Sequence, residues 1–178
     1  ELRLGCLRDF QKGEKVAFVQ CYGSRDRKIN YCSRVCCKYA ARFVKRAIEK
    51  GANVTVFYMD LRDKKMQEIG NARFIRAKPG EFFMEKDHVI VRYTSDTEEP
   101  CEERYDRVIL SNGLVPTASN QALASMFDLE LVNGFAERSY AKVPIVTAGT
   151  LRAPMDIIES INSGYQAAKE LLSKLDLK

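Results

Sequence analysis

The order of apolar and polar segments predicts a βαβ unit in the first third of the chain. Lys15–Cys21 (KVAFVQC) is a short apolar run typical of a buried strand, and a polar turn over 22–30 follows it. From Ser33 the apolar positions recur every three or four residues, which predicts a helix with Ser33 as N-cap and Gly51 as its stop signal. Asn53–Asp60 (NVTVFYMD) is a second buried strand that ends in an acid. We expect this unit to be right-handed, with parallel strands.

The middle of the chain alternates over shorter distances and predicts hairpins that cover or extend the sheet. These segments are Ala72–Ala77, Glu81–Glu85 and His88–Thr94. The acidic segment Ser95–Glu103 is typical of a turn, whereas Arg104–Leu110 predicts a closing strand with a turn at Ser111-Asn112-Gly113.

The pattern changes beyond Pro116, where we place a boundary between two lobes. Gln121–Phe127 predicts a short helix, Leu129–Arg138 an irregular link and Val143–Ala148 another strand. A long amphipathic helix closes the chain. Its apolar residues on or near one face are Ile157, Ile158, Ile161, Ala168, Leu171, Leu172 and Leu175.

Composition and charge exclude several classes of protein. The net charge of +5 is spread among mixed signs, so the sequence does not predict nucleic-acid binding. No apolar run reaches the roughly 20 residues of a membrane span, and no signal-peptide pattern opens the chain. We therefore expect a cytoplasmic protein. Because the chain begins without Met at Glu1, we also expect it to be an excised segment or a processed chain.

Four of the six cysteines, Cys21, Cys32, Cys36 and Cys37, fall within 17 residues. Clustered cysteines in a reducing compartment bind metal or perform redox chemistry more often than they form disulfides. The first lies at the end of the first predicted strand. If the helix begins near Cys32, then Cys36 shares its face and Cys37 lies about 100° further round. The helix N-terminus would stabilise thiolates that meet there.

This pattern suits either an iron–sulfur cluster or zinc, and we favour the cluster. Zinc sites favour CxxC pairs, which are absent here, and adjacent cysteines fit more easily around a cluster in which each thiolate binds a different iron. Unbound thiols and thiol–disulfide exchange by Cys36 and Cys37 are the alternatives, the latter being disfavoured by the strain of a vicinal disulfide. Cys6 and Cys101 are isolated, and we interpret them as structural or incidental.

Several motifs together resemble the A-subunit family of heterodisulfide reductase over about residues 15 to 172. They are VAFVQCYGSRD, YCSRVCCKYA, VTVFYMDLR, RFIRAKPGEF and VILSNGLVPT. The resemblance implies a thioredoxin-reductase-like α/β flavoprotein with two dinucleotide-binding domains. Residues 1–113 would be its Rossmann-like, pyridine-nucleotide-like lobe with the cysteine site, and residues 114–178 the C-terminal part of its FAD lobe.

The resemblance also implies a [4Fe–4S] cluster close to a flavin, with Cys21, Cys32, Cys36 and Cys37 as ligands. The loop after the first strand contains only Gly23, so it lacks the glycine-rich turn that a dinucleotide pyrophosphate needs. We expect the cluster to occupy that space. Asp60 stands where a ribose-binding acid would be, but without the glycines we do not assign it that role.

By the same resemblance, VPIVTAGTLRAPMDIIES is the segment that meets FAD, with Gly149, Thr150, Asp156 and Ile157 as contact residues. Gly149 would allow close approach of the backbone, and Asp156-Ile157 would open a helix towards the flavin. The alternative is strand–turn–helix packing without a ligand. The N-terminal FAD half and the ferredoxin-type cysteine runs of the family are absent from the sequence, and the stretch DLRDKKMQEIGN is short for the family. FAD would therefore be shared with a missing half or a partner chain.

The implied function is electron transfer between FAD and the cluster towards other redox subunits of a heterodisulfide-reductase-like complex. The alternative is a zinc-stabilised or metal-free interaction module of the same fold. The segment alone is not expected to be a complete catalyst.

Five other side chains carry weaker signals. His88 is the only histidine and is expected at the surface, while Ser111 and Ser139 lack a partner pattern for nucleophilic catalysis. Tyr22 and Tyr31 flank the cysteines, where they would either shield a cluster from solvent or simply pack.

Overall fold

The computed structural model describes residues 9–139 and 142–175. The chain divides into two compact units, Glu1–Gly113 and Leu114–Lys178. None of the helices in the described ranges combines the length and the apolar character that crossing a bilayer requires.

Within the described residues, the first unit contains seven strands and one α-helix. They are β1 (Lys15–Tyr22), α1 (Cys36–Glu49), β2 (Asn53–Phe57), β3 (Ala72–Ile75), β4 (Glu81–Glu85), β5 (His88–Thr94), β6 (Pro100–Tyr105) and β7 (Arg107–Asn112). Four strands form a parallel sheet in the order β3-β2-β1-β7, and β4, β5 and β6 form an antiparallel sheet. The predicted βαβ unit with parallel strands is confirmed, although its second strand ends at Phe57 rather than at Asp60.

The apolar run of β1 is buried on both faces, which explains its near-continuous hydrophobicity. Val16 and Phe18 pack with α1 in one core cluster. Ala17 and Val19 belong to a second cluster, which includes Phe57 of β2 and side chains of the antiparallel sheet. Strand β1 therefore packs against α1 on one face and against the antiparallel sheet on the other, and the cysteine loop follows its carboxyl end.

Helix α1 begins two residues later than the sequence predicted. Its N-cap position is Val35, which makes no side-chain cap, and the expected cap Ser33 lies buried in the preceding loop. The reason is Arg34, whose φ of 63° lies in the left-handed region and interrupts a helical path. Cys32 is therefore outside the helix, and the expectation that it shares a helical face with Cys36 is wrong. The stop at Gly51 is confirmed, since that residue has φ 82°.

The prediction of a turn over the acidic segment Ser95–Glu103 is wrong, because β6 occupies the second half of this segment. Its acids are paired: Glu102 with Arg92 at 2.7 Å and Glu103 with Arg73 at 2.7 Å. Arg92 lies opposite Glu102 on the neighbouring strand β5, and Arg73 lies on β3 of the parallel sheet. Arginines on other strands thus make these acidic positions compatible with a strand. The closing strand accordingly lies at Arg107–Asn112 rather than three residues earlier.

The predicted hairpin strand at Ala72–Ala77 also differs from expectation. It ends at Ile75 and joins the parallel sheet as β3, beside β2.

The described part of the second unit contains two α-helices, a hairpin and a short 3-10 turn. They are α2 (Ala118–Phe127), β8 (Leu129–Val132), β9 (Phe135–Ser139), the turn Gly149–Leu151 and α3 (Ile157–Lys174). The irregular link predicted over Leu129–Arg138 is wrong: β8 and β9 pair antiparallel around Asn133 and Gly134, with φ 52° and 80°. Positive φ at both central positions is the type I′ geometry that Asn-Gly favours.

The strand predicted over Val143–Ala148 is also wrong. Residues 142–148 form no strand and have no ladder partner in the described part of the chain. The closing helix α3 is confirmed and begins with a capping box between Asp156 and Glu159. Several of its apolar side chains are exposed, with Ile157 at 80% and Ile158 at 70%.

Candidate four-cysteine site

Cys21 lies at the carboxyl end of β1, where the strand leaves its regular register. The pairing with β7 shifts between Val19 and Tyr22, and Cys21 has φ 59°. A bulge of this kind redirects a side chain at the edge of a sheet. Cys21 is buried, and burial raises the pKa of its thiol, partly offset by the charge and hydrogen bond of Arg25.

Cys32 lies in the loop between β1 and α1 and is half-buried. The Asp26 carboxylate accepts from the backbone N–H of Lys28 at 2.9 Å and of Ile29 at 2.8 Å, which closes a turn early in this loop. Further along, the backbone N–H of Arg34 donates to Cys32 Sγ at 3.4 Å.

Cys36 and Cys37 form the buried start of α1, each no more than 2% exposed. The Cys36 thiol donates to Cys37, which lowers the pKa of Cys37 to about 6 and raises that of Cys36. Backbone N–H groups of Arg62 and Asp63 also donate to Cys37 and favour its thiolate.

The structure brings the four predicted cysteines together. Cys36 interacts electrostatically with Cys21, Cys32 and Cys37, and Cys21 interacts with Cys32 and Cys37. All four are free thiols. Within residues 9–139 and 142–175, no group of three or more His, Cys, Asp or Glu side chains is arranged so that it could hold a single metal ion.

The loop after β2 supplies contacts that the sequence reasoning missed. The Arg62 side chain hydrogen bonds to Cys32, and this raises the pKa of the guanidinium. Asp60 Oδ2 lies 3.5 Å from Arg25 Nη1 and 4.0 Å from Arg62 Nε. The predicted βαβ unit could have indicated these contacts. The carboxyl ends of adjacent parallel strands meet at one edge of the sheet, so residues that follow β2 must lie near the loop after β1.

The cysteine loop packs tightly against the end of β7. Ser33 is fully buried, and a Cβ on Gly113 would come within 2.9 Å of Ser33 Cβ. Beneath it, Gln20 Nε2 donates to Ser111 Oγ at 2.9 Å, and Tyr39 Oη donates to the Asn112 carbonyl at 2.5 Å. The end of β7 therefore holds both the loop and α1 in place.

Three of the weaker candidates, His88, Ser139 and Tyr22, lie against specific neighbours. His88 Nδ1 lies 2.9 Å from Asp106 Oδ1, and Ser139 Oγ donates to the Phe127 carbonyl at 3.3 Å. Tyr22 packs edge-on against Phe82, with ring centroids 6.2 Å apart.

In the second unit, the four candidate flavin contacts lie at two neighbouring turns of the chain. Gly149 has φ 62° and opens the 3-10 turn that includes Thr150; its backbone N–H donates to Ser163 Oγ at 3.1 Å. Asp156 is the N-cap of α3, and Ile157 is its first residue. A Cβ on Gly149 would lie 4.0 Å from Ser160 Cβ, an ordinary van der Waals contact.

Comparison with known proteins finds several curated relatives, although no protein-family model matches the chain. The A subunit of the H(2):CoB-CoM heterodisulfide,ferredoxin reductase from Methanothermobacter thermautotrophicus is 33% identical over 90% of this chain. An iron-sulfur A subunit of the CoB–CoM heterodisulfide reductase from Methanopyrus kandleri is 32% identical over 94%. The A subunit of the ferredoxin:CoB-CoM heterodisulfide reductase from Methanosarcina mazei is 31% identical over 93%. The chain is a homologue of the heterodisulfide reductase A subunits.

The resemblance expected from the sequence motifs is thereby confirmed. The chain spans only 28%, 29% and 24% of the lengths of those three relatives. The name of the Methanopyrus protein describes it as an iron–sulfur protein of the reductase.

Two solved structures share the fold of this heterodisulfide reductase A homologue. Bacillithiol disulfide reductase from Bacillus cereus matches 94% of this chain and 52% of its own, with a TM-score of 0.55 and 15% identity. LpdA from Mycobacterium tuberculosis matches 98% of this chain and 36% of its own, with a TM-score of 0.56 and 17% identity. These matches and the parallel sheet confirm the predicted Rossmann-like α/β fold.

Proposed function

We propose that this chain is an electron-transfer segment of a heterodisulfide-reductase-A-like flavoprotein. In this proposal Cys21, Cys32, Cys36 and Cys37 bind a [4Fe–4S] cluster, and the second unit contributes to an FAD site. The observation that carries it is the convergence of the four cysteines at the carboxyl edge of a parallel sheet. That edge is where open α/β sheets bind their ligands.

The donor set fits an iron–sulfur cluster. A cluster distributes its four thiolates over four irons, so these sulfurs need not converge on one ion. N–H donors already point at three of them: the Arg25 side chain at Cys21, the Arg34 backbone at Cys32 and the Arg62 backbone at Cys37. Such hydrogen bonds stabilise the negative charge that thiolates and a cluster bring.

A pyridine nucleotide fits this loop poorly. The segment after β1 has a single glycine, Gly23, and its backbone follows a turn closed by Asp26 rather than a phosphate cradle. Arg25 and Asp60, which face the same edge, are paired with each other. We infer that the cysteine site replaces the dinucleotide site of the lobe, and that residues 1–113 are its pyridine-nucleotide-like remnant.

We assign the FAD contacts to Gly149, Thr150, Asp156 and Ile157. Gly149 has a left-handed backbone at the start of the 3-10 turn, and α3 has its N-terminus in the same part of the second unit. Backbone N–H groups at a helix N-terminus favour anionic ligand groups. The exposed apolar face of α3 supports a proposal that residues 114–178 belong to a larger FAD lobe, since such a patch marks an interaction surface.

When bound, a [4Fe–4S] cluster supplies one-electron transfer. The cysteines of this chain would hold it at the start of α1, where Cys21, Cys36 and Cys37 are buried and Cys32 is half-buried. The arginines beside Cys21 and Cys32 would stabilise negative charge there. The relatives are subunits of heterodisulfide reductases, so we propose other redox subunits of such a complex as partners.

Anaerobic reconstitution with iron and sulfide, followed by EPR after reduction, tests the proposal. We expect a cluster signal and about four irons and four sulfides per chain. Cys36→Ala should lose the signal, whereas Cys101→Ala, which alters a half-buried cysteine in β6, should keep it. A parent protein without the signal, or a Cys36→Ala protein that retains it, would rule out this ligand set.

A zinc-stabilised or metal-free interaction module is the second candidate. The observation that favours it is that Cys36 and Cys37 are already packed as hydrogen-bonded thiols within the core. Elemental analysis of the protein as purified under anaerobic conditions separates the candidates. One zinc and no iron per chain would favour the module.

A further inference from the structure

The Asp60 carboxylate joins two arginines that contact different cysteines. Its Oδ2 atom lies 3.5 Å from Arg25 Nη1 and 4.0 Å from Arg62 Nε. Arg25 hydrogen bonds to Cys21, and Arg62 hydrogen bonds to Cys32. One carboxylate oxygen therefore links donors from the loop after β1 and the loop after β2.

We propose that Asp60 is a positioning residue that holds Arg25 and Arg62 against the sulfurs of Cys21 and Cys32. Through this arrangement it raises the reduction potential of the cluster bound there. The identity of the bound group rests on the proposed function. The arrangement of Asp60, Arg25 and Arg62 is independent of it.

The effect on potential follows from charge. Adding one electron at the site adds one negative charge close to the sulfurs, and a guanidinium within hydrogen-bond distance stabilises that charge. Hydrogen bonds to the sulfurs and local net charge are among the factors that set the potentials of iron–sulfur proteins. Arg25 and Arg62 therefore favour the reduced state, and their removal should shift the midpoint potential to more negative values.

The direction in which the midpoint potential changes distinguishes a positioning role of Asp60 from the effect of its charge alone. The Arg25 and Arg62 side chains are 27% and 58% exposed, so without an anchor they gain freedom by leaving the sulfurs for water. Asp60 is itself negative, and its charge alone would lower the potential. If it acts only as a charge, Asp60→Asn raises the midpoint potential; if it positions the arginines, the same substitution lowers it.

The test is an EPR-monitored redox titration of the reconstituted full chain under anaerobic conditions. We expect Arg25→Gln, Arg62→Gln and Asp60→Asn each to shift the midpoint potential to more negative values. A tenfold loss of preference for the reduced state corresponds to a shift of about 59 mV in the midpoint potential. Asp60→Glu should restore most of the parent value. An Asp60→Asn protein whose potential is unchanged or more positive would overturn the proposal.

Two matched controls alter the same kinds of residue elsewhere. Arg46→Gln changes an exposed arginine in the last turn of α1, and Asp96→Asn changes an exposed aspartate in the β5–β6 turn. Both should leave the potential unchanged. Thermal unfolding of the Asp60 and Arg62 variants should match that of the parent, because both side chains are at least half exposed.

A second measurement separates this proposal from the proposed function. If the parent holds zinc instead of a cluster, the proposed function fails, and chelator competition then tests the arginines. Asp60→Asn and Arg62→Gln should each weaken zinc binding about tenfold, as expected for partners that orient metal ligands. Unchanged zinc affinity, or a parent that takes up neither metal, would overturn the positioning role as well.

Discussion

Gly113, at the end of β7, lies directly against the side chain of Ser33 in the cysteine loop. A Cβ built on Gly113 would be 2.9 Å from Ser33 Cβ and 3.3 Å from Ser24 Cβ, and closer still to Ser33 Oγ. Ser33 is fully buried and lies next to Cys32, so it has little room to move away. The close approach of these two residues therefore couples the edge of the sheet to the geometry of the cysteines.

We expect Gly113→Ala to destabilise the first unit by about 1–3 kcal/mol, the usual cost of forcing extra volume into a packed site. It should also reduce the iron retained after reconstitution, because Ser33 must shift. Gly80→Ala is the control, since a Cβ there meets nothing within 4 Å. Urea unfolding and iron analysis measure both effects, and equal values for the two variants would contradict the coupling.

The Glu103 carboxylate is the centre of a polar network between the two sheets. It accepts from Tyr93 Oη at 2.6 Å, from Tyr105 Oη at 2.8 Å and from both terminal nitrogens of Arg73 at 2.7 and 2.9 Å. Burial alone would raise the pKa of Glu103, but these hydrogen bonds outweigh it and lower the pKa.

This lowered pKa gives a pH dependence with a defined sign. A folded-state pKa below the unfolded value of about 4.3 stabilises the protein above that pH, and the stabilisation disappears as the pH falls through the folded-state pKa. We expect Glu103→Gln to cost about 1–2 kcal/mol at pH 7, and its difference from the parent to shrink below about pH 4.

Glu102→Gln is the matched control for this prediction. Glu102 is the adjacent residue of β6 and pairs with Arg92 on the solvent side, both side chains being about half exposed. An exposed pair of this kind contributes roughly 0–1 kcal/mol. Urea unfolding between pH 3 and 8 makes the comparison. A Glu103→Gln protein no less stable than Glu102→Gln at pH 7 would show that the network is not stabilising.

Much of the first unit could be predicted because its strands have strong patterns. β1 and β2 are apolar runs bounded by polar turns, and α1 has a helical repeat that ends at Gly51. The strand β6 was missed because its acids are stabilised by Arg92 and Arg73, which lie on other strands. Pattern within a segment does not reveal such cross-strand pairs.

The cysteine site was predictable in its candidate ligands but not in its surroundings. The spacing of the cysteines pointed to one centre, whereas the left-handed backbone of Cys21 and Arg34 has no sequence signal, since neither is Gly or Asn. Arg62 was missed because its approach to Cys32 depends on the loops of two adjacent strands meeting at one edge. The hairpin at Asn133-Gly134, in contrast, carried a recognisable turn signal.

We expect Gly134→Ala to destabilise the second unit by about 1–3 kcal/mol. Gly134 has φ 80°, and a Cβ there would lie 2.5 Å from Pro116 Cγ. Both the left-handed backbone and the collision oppose any side chain. Gly164→Ala is the control: it lies in α3 with nothing within 4 Å, and should stabilise the helix by up to about 1 kcal/mol. Thermal unfolding followed by circular dichroism should shift in opposite directions for the two variants, and a shift in the same direction would contradict this account.

The burial of the cysteines predicts an order of chemical reactivity in the reduced, metal-free protein. Of the five cysteines in the described residues, Cys32 and Cys101 are half-buried, whereas Cys21, Cys36 and Cys37 are buried. Since alkylation requires access of the reagent to the thiolate, Cys32 and Cys101 should react with iodoacetamide well before the other three. Peptide mapping by mass spectrometry at short reaction times gives the order. Reconstitution with a cluster should then protect Cys32 but leave Cys101 reactive. Equal protection of both, or equal reactivity of all five before reconstitution, would contradict the assignment of Cys32 as a ligand at the exposed edge of the site.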